Sequence, residues 1–357
     1  MRQLTYRLSF LTPAFLGNAE QSAQWRTPPL KALLRQWWRV VYRAEHPGAS
    51  VAAMRDIEGR LFGHAWLEND RDGKGGKVAA RRSQIRLRLS AWTQGKLPAN
   101  RWEALPPVRH PEVSQAVPAD LYLGYGPVVL PRGQRVPTLK ASAAIQAGEE
   151  AGFSLAAPDD AAPTLLRALS LMNRFGTLGG RSRNGWGSFV LSPEGETPAL
   201  GDVLDPDCVR PWLKALELDW PHAIGSDARG PLIWEFREAA SDWKDAMRRL
   251  AQLKIALRTQ FRFPHERPDG EVHARHWLSY PITKHKVQAW DRSGLRLPNA
   301  LRFKVRADAD GKLRGLVFHV PCKPPAAFRP DDNAIRQVWQ RVHEHLDRDS
   351  TLQRIPG

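Results

Sequence analysis

Hydrophobic and polar residues alternate at the start of the chain, where Tyr6, Leu8 and Phe10 fall on one face of a predicted strand. A helical period follows over 30–43, directly after the Pro28-Pro29 pair that suits a first helical turn. Patterns of the same two kinds continue through the first half. They predict a strand carrying Ile85, Leu87 and Leu89, strands over 121–125, 148–155 and 186–191, and a helix over 164–174.

The second half repeats this order of elements. Its pattern predicts strands over 232–238, 301–305 and 316–320, and helices over 242–258 and 334–346. Residues 192–210 lose both periodicity and basic character, which predicts a boundary between a domain of residues 1–195 and one of residues 205–357. The order strand, helix, two strands, helix, strand in each half predicts an α+β fold with two ferredoxin-like (RRM-like) domains in tandem.

The charge of the chain indicates the chemistry of its partner. Fifty-three Lys and Arg residues against 37 Asp and Glu leave a net charge of +16. Such a surface attracts polyanions, with nucleic acid the first candidate and an anionic membrane surface the second. Cys208 and Cys322 lie far apart without a CxxC motif, and no apolar run or signal segment is present, so a reduced, cytoplasmic protein is expected.

The helix over 30–43 has one apolar and one basic face. Its apolar face carries Leu30, Leu33, Leu34, Trp37 and Val41, and its basic face carries Lys31, Arg35, Arg39 and Arg43. Thr27 is placed to cap the helix, and Trp38, at the edge of the two faces, could stack on a base or simply pack in the core. Like charges four residues apart repel unless they are solvated or meet an anion. A solvated surface and a nucleic-acid contact are therefore both open for the basic face.

The glycine-rich stretch GTLGGRSRNGWG at 176–187 has two interpretations of the same kind. The amides of Gly179 and Gly180 could approach a phosphate, and Arg181 and Arg183 could add bidentate contacts. The side chains of Ser182 and Asn184 could reach sugar hydroxyls or base edges. The stretch carries neither a Walker motif nor a dinucleotide fingerprint, and a strand is predicted after it. The alternative is a simple connector with exposed arginines.

Two smaller basic clusters and several histidines complete the candidates. Arg81 and Arg82, with Lys74 and Lys77, belong to a basic loop for which a polyanion contact and a merely solvated surface are both open. Lys284 and Lys286 flank His285. The histidines considered for metal binding or catalysis are His265, His273, His276, His343 and His345. Their spacing supplies no third metal ligand, so neither a metal site nor a cofactor is predicted. A metal-independent ribonuclease needs only a general acid and base, which spacing does not reveal.

Three of these segments together resemble the RAMP superfamily of CRISPR effector proteins. They are LTPAFLG at 11–17, RTPPLKALLRQWWR at 26–39 and the glycine-rich loop, and HWLSYP at 276–281 resembles a further family segment. The WWR helix is similar in detail to the first-subunit family of the Cmr (type III-B) complex. One departure is Ala32, at a helix position where that family usually has glycine.

The resemblance implies a non-catalytic subunit that binds CRISPR guide RNA and single-stranded target RNA beside other RAMP subunits in antiviral defence. The residues predicted to contact RNA are Arg26, Lys31, Arg35, Trp38, Arg39, Arg81, Arg82, Gly179, Gly180, Arg181, Ser182, Arg183, Asn184, Lys284 and Lys286. One alternative is a metal-independent endoribonuclease that processes CRISPR transcripts. In such enzymes the glycine loop lies close to the C-terminus, whereas about half of this chain follows it. Another alternative is a scaffold whose basic surface meets acidic proteins.

Overall fold

The computed structural model describes residues 1–65, 71, 74–78, 80–201, 203–264 and 270–355, which form two compact units. The first unit comprises Met1–Arg101, Ala141–Ser182 and Trp186–Cys208, and the second comprises Trp102–Lys140, Arg183–Gly185 and Val209–Gly357. The units therefore interleave along the chain. The boundary between domains of residues 1–195 and 205–357 stays a prediction.

The regular elements account for both units. The helices are α1 (Thr27–Glu45), α2 (Val51–Phe62), α3 (Ala119–Gly124), α4 (Ala162–Phe175), α5 (Trp212–Ala215), α6 (Trp243–Thr259), α7 (Gln288–Arg292) and α8 (Asp332–Arg348). The strands are β1 (Arg2–Phe10), β2 (Arg86–Leu89), β3 (Leu97–Pro98), β4 (Pro107–Val108), β5 (Val117–Pro118), β6 (Val128–Val129), β7 (Thr138–Leu139), β8 (Ala143–Ala144), β9 (Glu150–Ala157), β10 (Phe189–Pro193), β11 (Val209–Pro211), β12 (Ile224–Asp227), β13 (Gly230–Pro231), β14 (Ile233–Phe236), β15 (Leu301–Ala307), β16 (Leu313–His319) and β17 (Leu352–Arg354). Short 3₁₀ turns lie at Ala99–Arg101, Pro206–Cys208, Ala274–Trp277 and Ala326–Phe328.

The main sheet of the first unit has the strand order β10-β1-β9-β2. β1 runs antiparallel to both of its neighbours, and Leu8 is paired with Ala151 on one side and Leu191 on the other. The period-two pattern predicted for β1 is confirmed, since Tyr6, Leu8 and Phe10 are buried. α1 and α4 pack against each other. With α2 and the two-residue strands left out, the order along the first unit is β1-α1-β2-β9-α4-β10, which is the β-α-β-β-α-β pattern.

The main sheet of the second unit has the order β15-β16-β14-β17, and all of its pairs are antiparallel. When the four strands of each main sheet are numbered in chain order, both sheets have the spatial order fourth, first, third, second. α6 and α8 are the two long helices of the second unit, and the Trp234 indole of β14 donates to Asp347 of α8 at 2.9 Å. The predicted α+β class is confirmed.

The structure corrects two local predictions and adds one element. Residues 121–125 were predicted as a strand but lie mostly in helix α3, because a short apolar run fits either structure and Asp120 in the first helical turn favours the helix. Thr27 is the first residue of α1, and Arg26 occupies the N-cap without a side-chain cap. α2, which the hydrophobic pattern did not predict, begins after Ser50, whose hydroxyl accepts the Ala53 N–H at 3.1 Å. Among the described residues, no helix has the length and apolar character needed to cross a bilayer.

Candidate nucleic-acid interface

α1 packs its apolar face into the core of the first unit, as its period predicted. Leu30, Leu34 and Val41 are at most 2% exposed, and the Trp37 ring lies 5.7 Å from that of Phe175 in α4. This packing fixes the rotation of the helix about its axis. The basic side chains are consequently held on the opposite side.

Trp38 lies in the core, so the prediction that it stacks on a base is wrong. The side chain is 2% exposed, and its ring stacks on Tyr42 at 5.0 Å and meets the edge of Phe62 at 5.6 Å. Phe62 is the last residue of α2, which covers the edge of α1 where Trp38 stands. The burial of this tryptophan is thus a consequence of the helix that the sequence did not reveal.

Arg35 and Arg39 share one buried carboxylate, that of Glu58 in α2. The Arg35 Nε lies 2.6 Å and the Arg39 Nε 3.0 Å from the same Glu58 oxygen. The Glu58 side chain is 4% exposed, whereas those of Arg35 and Arg39 are 36% and 42% exposed. Two positive charges therefore meet one negative charge, and the guanidinium groups remain within reach of an external anion.

The other basic residues at α1 have different surroundings. Lys31 is partly buried, and burial together with the nearby charge of Arg35 lowers the pKa of its ammonium group. Arg43 donates to the backbone oxygen of Ala49 at 3.2 Å. Arg26 donates to the backbone oxygen of Gly17 at 2.6 Å, which joins the start of α1 to the LTPAFLG turn. Arg43 and Arg26 are thus each bonded to a backbone oxygen of the first unit.

The first part of the glycine-rich loop packs tightly inside the first unit. A Cβ at Gly176 would lie 3.0 Å from a methyl of Leu33 in α1, and one at Gly179 would lie 2.7 Å from the Phe15 backbone oxygen. The Gly180 N–H donates to that same oxygen at 2.9 Å. These glycines therefore allow backbone segments to approach each other, and the amide of Gly180 is already used by the protein.

Arg181 is the exposed side chain of this loop. It stands at a positive φ of 55°, beside the partly exposed Ser182. A left-handed conformation at a non-glycine residue is uncommon and is held by the surrounding structure. The loop thus presents Arg181 outward in the unit that also contains the basic face of α1.

Arg183 and Asn184 belong to the second unit. Burial lowers the pKa of Arg183, and the nearby guanidinium of Arg302 is buried as well, with its pKa lowered to about 9. The Asn184 amide donates to the Leu123 backbone oxygen at 2.6 Å and accepts from the Lys254 ammonium at 2.7 Å. The structure therefore brings Gly179, Gly180, Arg181 and Ser182 together but gives Arg183 and Asn184 partners within a different unit.

The two smaller basic clusters lie at the surface. Arg81 donates to Asp56 of α2 at 2.9 Å, and Arg82 is exposed beside it. The rest of that loop, residues 70, 72–73 and 79, lies outside the described residues, whereas Lys74 and Lys77 are exposed. In the second unit Lys284 is exposed at a φ of 65°, and Lys286 forms a 2.9 Å ion pair with Asp291.

Two of the histidines that the sequence singled out, His276 and His343, are buried and hydrogen-bonded within the protein. His276 is 1% exposed, accepts the His273 N–H at 2.9 Å and meets the His285 backbone oxygen at 3.0 Å. His343 is bonded to His319 at 3.0 Å in the core of the second unit. His265 lies outside the described residues. Within the described residues no group of three or more His, Cys, Asp or Glu side chains could hold a metal ion.

The family of the chain follows from its first half. A sequence model of the RAMP superfamily matches residues 7–190, which include the LTPAFLG turn, α1 and the glycine-rich loop. This chain belongs to the RAMP superfamily. No curated protein matches it.

Several solved structures are similar to this RAMP protein. Cmr1 from Pyrococcus furiosus, in its apo form, is 13% identical with a TM-score of 0.47, and the match covers 100% of this chain and 99% of that one. A chain of the type III-B Cmr-beta complex bound to cognate target RNA is 10% identical with a TM-score of 0.45, over 95% of this chain and 99% of that one. A chain of a type IV-B CRISPR complex is 13% identical with a TM-score of 0.29, over 58% of this chain and 96% of that one.

Proposed function

We propose that this RAMP protein is a non-catalytic, cytoplasmic RNA-binding subunit of a type III-B CRISPR RNA-guided complex, in which it contacts target RNA, guide RNA or both beside other RAMP subunits. Membership of the superfamily and the WWR helix support the assignment to such a complex. The single observation that carries RNA binding is the arrangement of Arg35 and Arg39 on Glu58.

This arrangement suits a phosphate backbone. Glu58 fixes two guanidinium groups next to each other and leaves one positive charge in excess. Arginine binds phosphate through paired N–H groups, and side chains that are ordered beforehand lose less conformational entropy when RNA arrives. Lys31 and Arg26 add positive charges at the start of α1, in the unit that also exposes Arg181.

The state of the histidines supports a subunit that binds without cutting. A metal-independent ribonuclease needs a general base that can reach the 2′-hydroxyl of its substrate. His276 and His343 are buried and bonded within the protein. These two histidines therefore have structural roles. We expect purified protein, incubated with labelled RNA in the absence of metal, to leave the RNA intact.

The deciding experiment measures the affinity of the full chain for a short fluorescent single-stranded RNA over a series of salt concentrations. Phosphate contacts release counterions, so each one contributes about −0.7 to the slope of log affinity against log salt. Arg35→Ala with Arg39→Ala should weaken binding across sequences and flatten the slope by about 1.4.

The control is Arg101→Ala with Arg336→Ala, which removes two positive charges at exposed positions. This control should keep the slope of the wild type. If the two variants have the same slope of log affinity against log salt, the basic face of α1 is not an RNA contact. If the α1 variant binds RNA normally but no longer assembles with other subunits, the scaffold alternative replaces the proposal.

A further inference from the structure

A cavity of about 280 Å³ lies in the second unit, beside the first three turns of α8 and the 3₁₀ turn Ala274–Trp277. These two elements pack against each other. The apolar walls of the cavity include Phe261, Trp277 and Val338, which are at most 5% exposed. Polar side chains at exposed positions line the same cavity, namely Arg329, Asp331, Gln337 and Arg341. The cavity thus combines a buried apolar interior with polar groups that solvent reaches.

The size of this cavity limits what it can hold. Pockets that enclose a whole small-molecule ligand usually measure about 300–1,000 Å³. The volume of this one lies at the lower limit of that range, and several of its lining side chains are exposed. It therefore suits one part of a larger molecule, such as a single base or a single side chain, and not a complete small ligand.

The planar groups of the cavity are held in place by the protein itself. The centre of the Trp277 ring lies 5.3 Å from that of Trp290, and the Arg341 guanidinium lies over the Phe261 ring, 4.8 Å from its centre. Arg341 also donates to the Gln260 backbone oxygen at 3.2 Å. Aromatic rings and guanidinium planes are the surfaces on which unpaired RNA bases stack. Because these groups are ordered beforehand, they lose little conformational entropy when a base enters.

Several hydrogen-bonding groups of the cavity lack partners in the described part of the chain. Trp277 is 5% exposed, and its indole N–H donates to none of the described residues. Asp331 caps α8 through Oδ1, which accepts the N–H groups of Asn333 and Ala334, whereas Oδ2 accepts from no described donor. The Gln337 amide likewise forms no hydrogen bond with a described residue. A polar group shielded from water without a partner costs free energy, so the cavity favours a ligand with polar edges as well as apolar faces.

A nucleobase has both of these properties, whereas a hydrophobic side chain of a partner protein has only one. The faces of a base stack on rings, and its edge carries donors and acceptors that match the Trp277 N–H, the Gln337 amide and the Asp331 carboxylate. A hydrophobic side chain would contact the walls but leave these polar groups unpaired. Asp331 would also repel an acidic peptide. The lining of the cavity therefore favours RNA over a protein partner.

Arg329 supplies a positive charge at this cavity. Its side chain is exposed and forms no ion pair with a carboxylate of the described residues. Its backbone stands at a φ of 49° directly after the buried Phe328, and its N–H donates to the Ala326 backbone oxygen at 2.9 Å. Arginine binds phosphate through paired N–H groups. The residue is thus suited to contact the phosphodiester group of a nucleotide whose base occupies the cavity.

We propose that this cavity binds one nucleobase of single-stranded RNA and that Arg329 contacts the phosphodiester group of the same nucleotide. The inference deepens the proposed function and rests on it, because it adds a base contact in the second unit to the phosphate contacts of α1 in the first. Trp277 belongs to the HWLSYP segment, whereas Arg329 and Arg341 are not among the residues that the sequence predicted to contact RNA.

The test fills the cavity and measures binding of the full chain to two fluorescent probes, the short single-stranded RNA and an abasic strand with the same ribose-phosphate backbone. Ala274 is exposed and lines the cavity, so Ala274→Phe adds a ring there without replacing a core residue. Loss of one stacked base should weaken RNA binding by about 5- to 150-fold and leave binding of the abasic strand unchanged. The control Ala228→Phe, in the exposed turn between β12 and β13, should bind both probes as the wild type does.

Two further variants at exposed positions do not depend on how the added ring packs. Gln337→Ala removes a polar partner of the base and should weaken RNA binding by about 2- to 10-fold, again without effect on the abasic strand. Arg329→Gln should flatten the slope of log RNA affinity against log salt by about 0.7. Arg336→Gln removes an exposed charge that does not line this cavity and should leave the slope unchanged.

Wild-type affinity for RNA in both Ala274→Phe and Gln337→Ala would overturn the inference, and so would an equal loss of affinity for the RNA and the abasic strand. If these variants bind RNA normally but no longer assemble with other subunits, the cavity is a protein contact and the inference is wrong. If the Arg35 and Arg39 variant loses RNA binding while the cavity variants do not, the inference fails and the proposed function stands. If the wild type does not bind RNA, both are wrong.

Discussion

The Arg35 guanidinium donates to the Glu58 carboxylate at 2.6 Å, across the contact between α1 and α2. The carboxylate is buried while the guanidinium keeps about a third of its side-chain surface in water. A charge in this position has two effects on the fold. It fixes the direction of Arg35 and of Arg39, and it ties the second helix to the first.

Replacing Glu58 should show how much its contact with Arg35 and Arg39 contributes to the stability of the protein. Glu58→Gln keeps the shape but removes the charge, and the partly exposed arginines can then hydrate. The free energy of unfolding should fall by about 1–2 kcal/mol, below the roughly 3–5 kcal/mol lost when a fully buried pair is broken. Urea unfolding measures this difference.

The matched control for Glu58 is on the same helix. Asp56 is 44% exposed and pairs with Arg60 and Arg81 at the surface. Asp56→Asn should therefore cost less than about 1 kcal/mol, as for most exposed ion pairs. Equal losses in the two variants would contradict the importance of burial at Glu58.

Trp38 should contribute to the stability of the protein and not to RNA binding. Trp38→Ala removes a 2% exposed indole from its contacts with Tyr42 and Phe62, which should lower the free energy of unfolding by about 3–5 kcal/mol. Trp92 is 56% exposed, and Trp92→Ala should change stability by about 0.5 kcal/mol or less. Denaturant titration compares the two variants. A folded Trp38→Ala protein with wild-type stability and reduced RNA affinity would restore the stacking interpretation.

The elements that local periodicity specifies were predictable from the sequence. β1 and α1 have patterns that persist over several turns or alternations, and the buried sides of both follow from those patterns. The basic face of α1 was predictable for the same reason. α6 was predicted over 242–258 and lies at Trp243–Thr259, with Asp242 as its N-cap.

The rest depends on contacts between distant parts of the chain, which periodicity does not encode. Trp38 and Glu58 acquire their roles only when α2 packs on α1, and α2 has a weaker pattern of apolar residues. Lys254 bonds to Asn184, seventy residues earlier in the chain. On a helix Glu58 shares a face with Met54, Leu61 and Phe62, and this position is the sequence signal for a buried carboxylate.

Substitution of a loop glycine should lower the stability of the protein according to the space around the added Cβ, and not through a lost phosphate contact. Gly187 stands at a φ of 66°, and a Cβ there would lie 1.9 Å from the Leu178 backbone oxygen. Gly195 has a similar φ of 60°, but a Cβ would meet nothing within 4 Å. Gly195→Ala should cost about 1–2 kcal/mol through its backbone conformation alone, whereas Gly187→Ala should cost more than about 4 kcal/mol or prevent folding.

Thermal unfolding and expression yield compare the two glycine variants directly. A Gly187→Ala protein as stable as Gly195→Ala would show that the strand leaving the loop can shift away from Leu178. Loss of RNA affinity at normal stability would instead favour the phosphate-nest interpretation of the loop.

The buried histidine pair of the second unit should make stability fall in acid. His343 bonds to His319 at 3.0 Å, and burial lowers the pKa of His343 to about 4 and that of His319 well below its ordinary value. Asp227 raises the pKa of His343 and Arg354 lowers it, but both effects are smaller than that of burial. Both rings are therefore neutral in the folded protein at pH values where they are protonated in the unfolded chain.

The sign of the pH effect follows from this difference in proton binding. Below the ordinary histidine pKa of about 6.5 the unfolded state binds more protons than the folded state. Lowering the pH therefore lowers the free energy of unfolding, by up to about 1.4 kcal/mol per pH unit for each histidine. For His343 the fall should end near pH 4, where the folded ring is protonated as well. Urea unfolding of the wild type should show this loss, and His343→Gln should show a smaller one. His46→Gln, at an exposed histidine, should retain the wild-type pH dependence. If His343→Gln retains it too, the acid sensitivity arises elsewhere in the protein, because removal of a buried neutral imidazole must remove its share of the proton linkage.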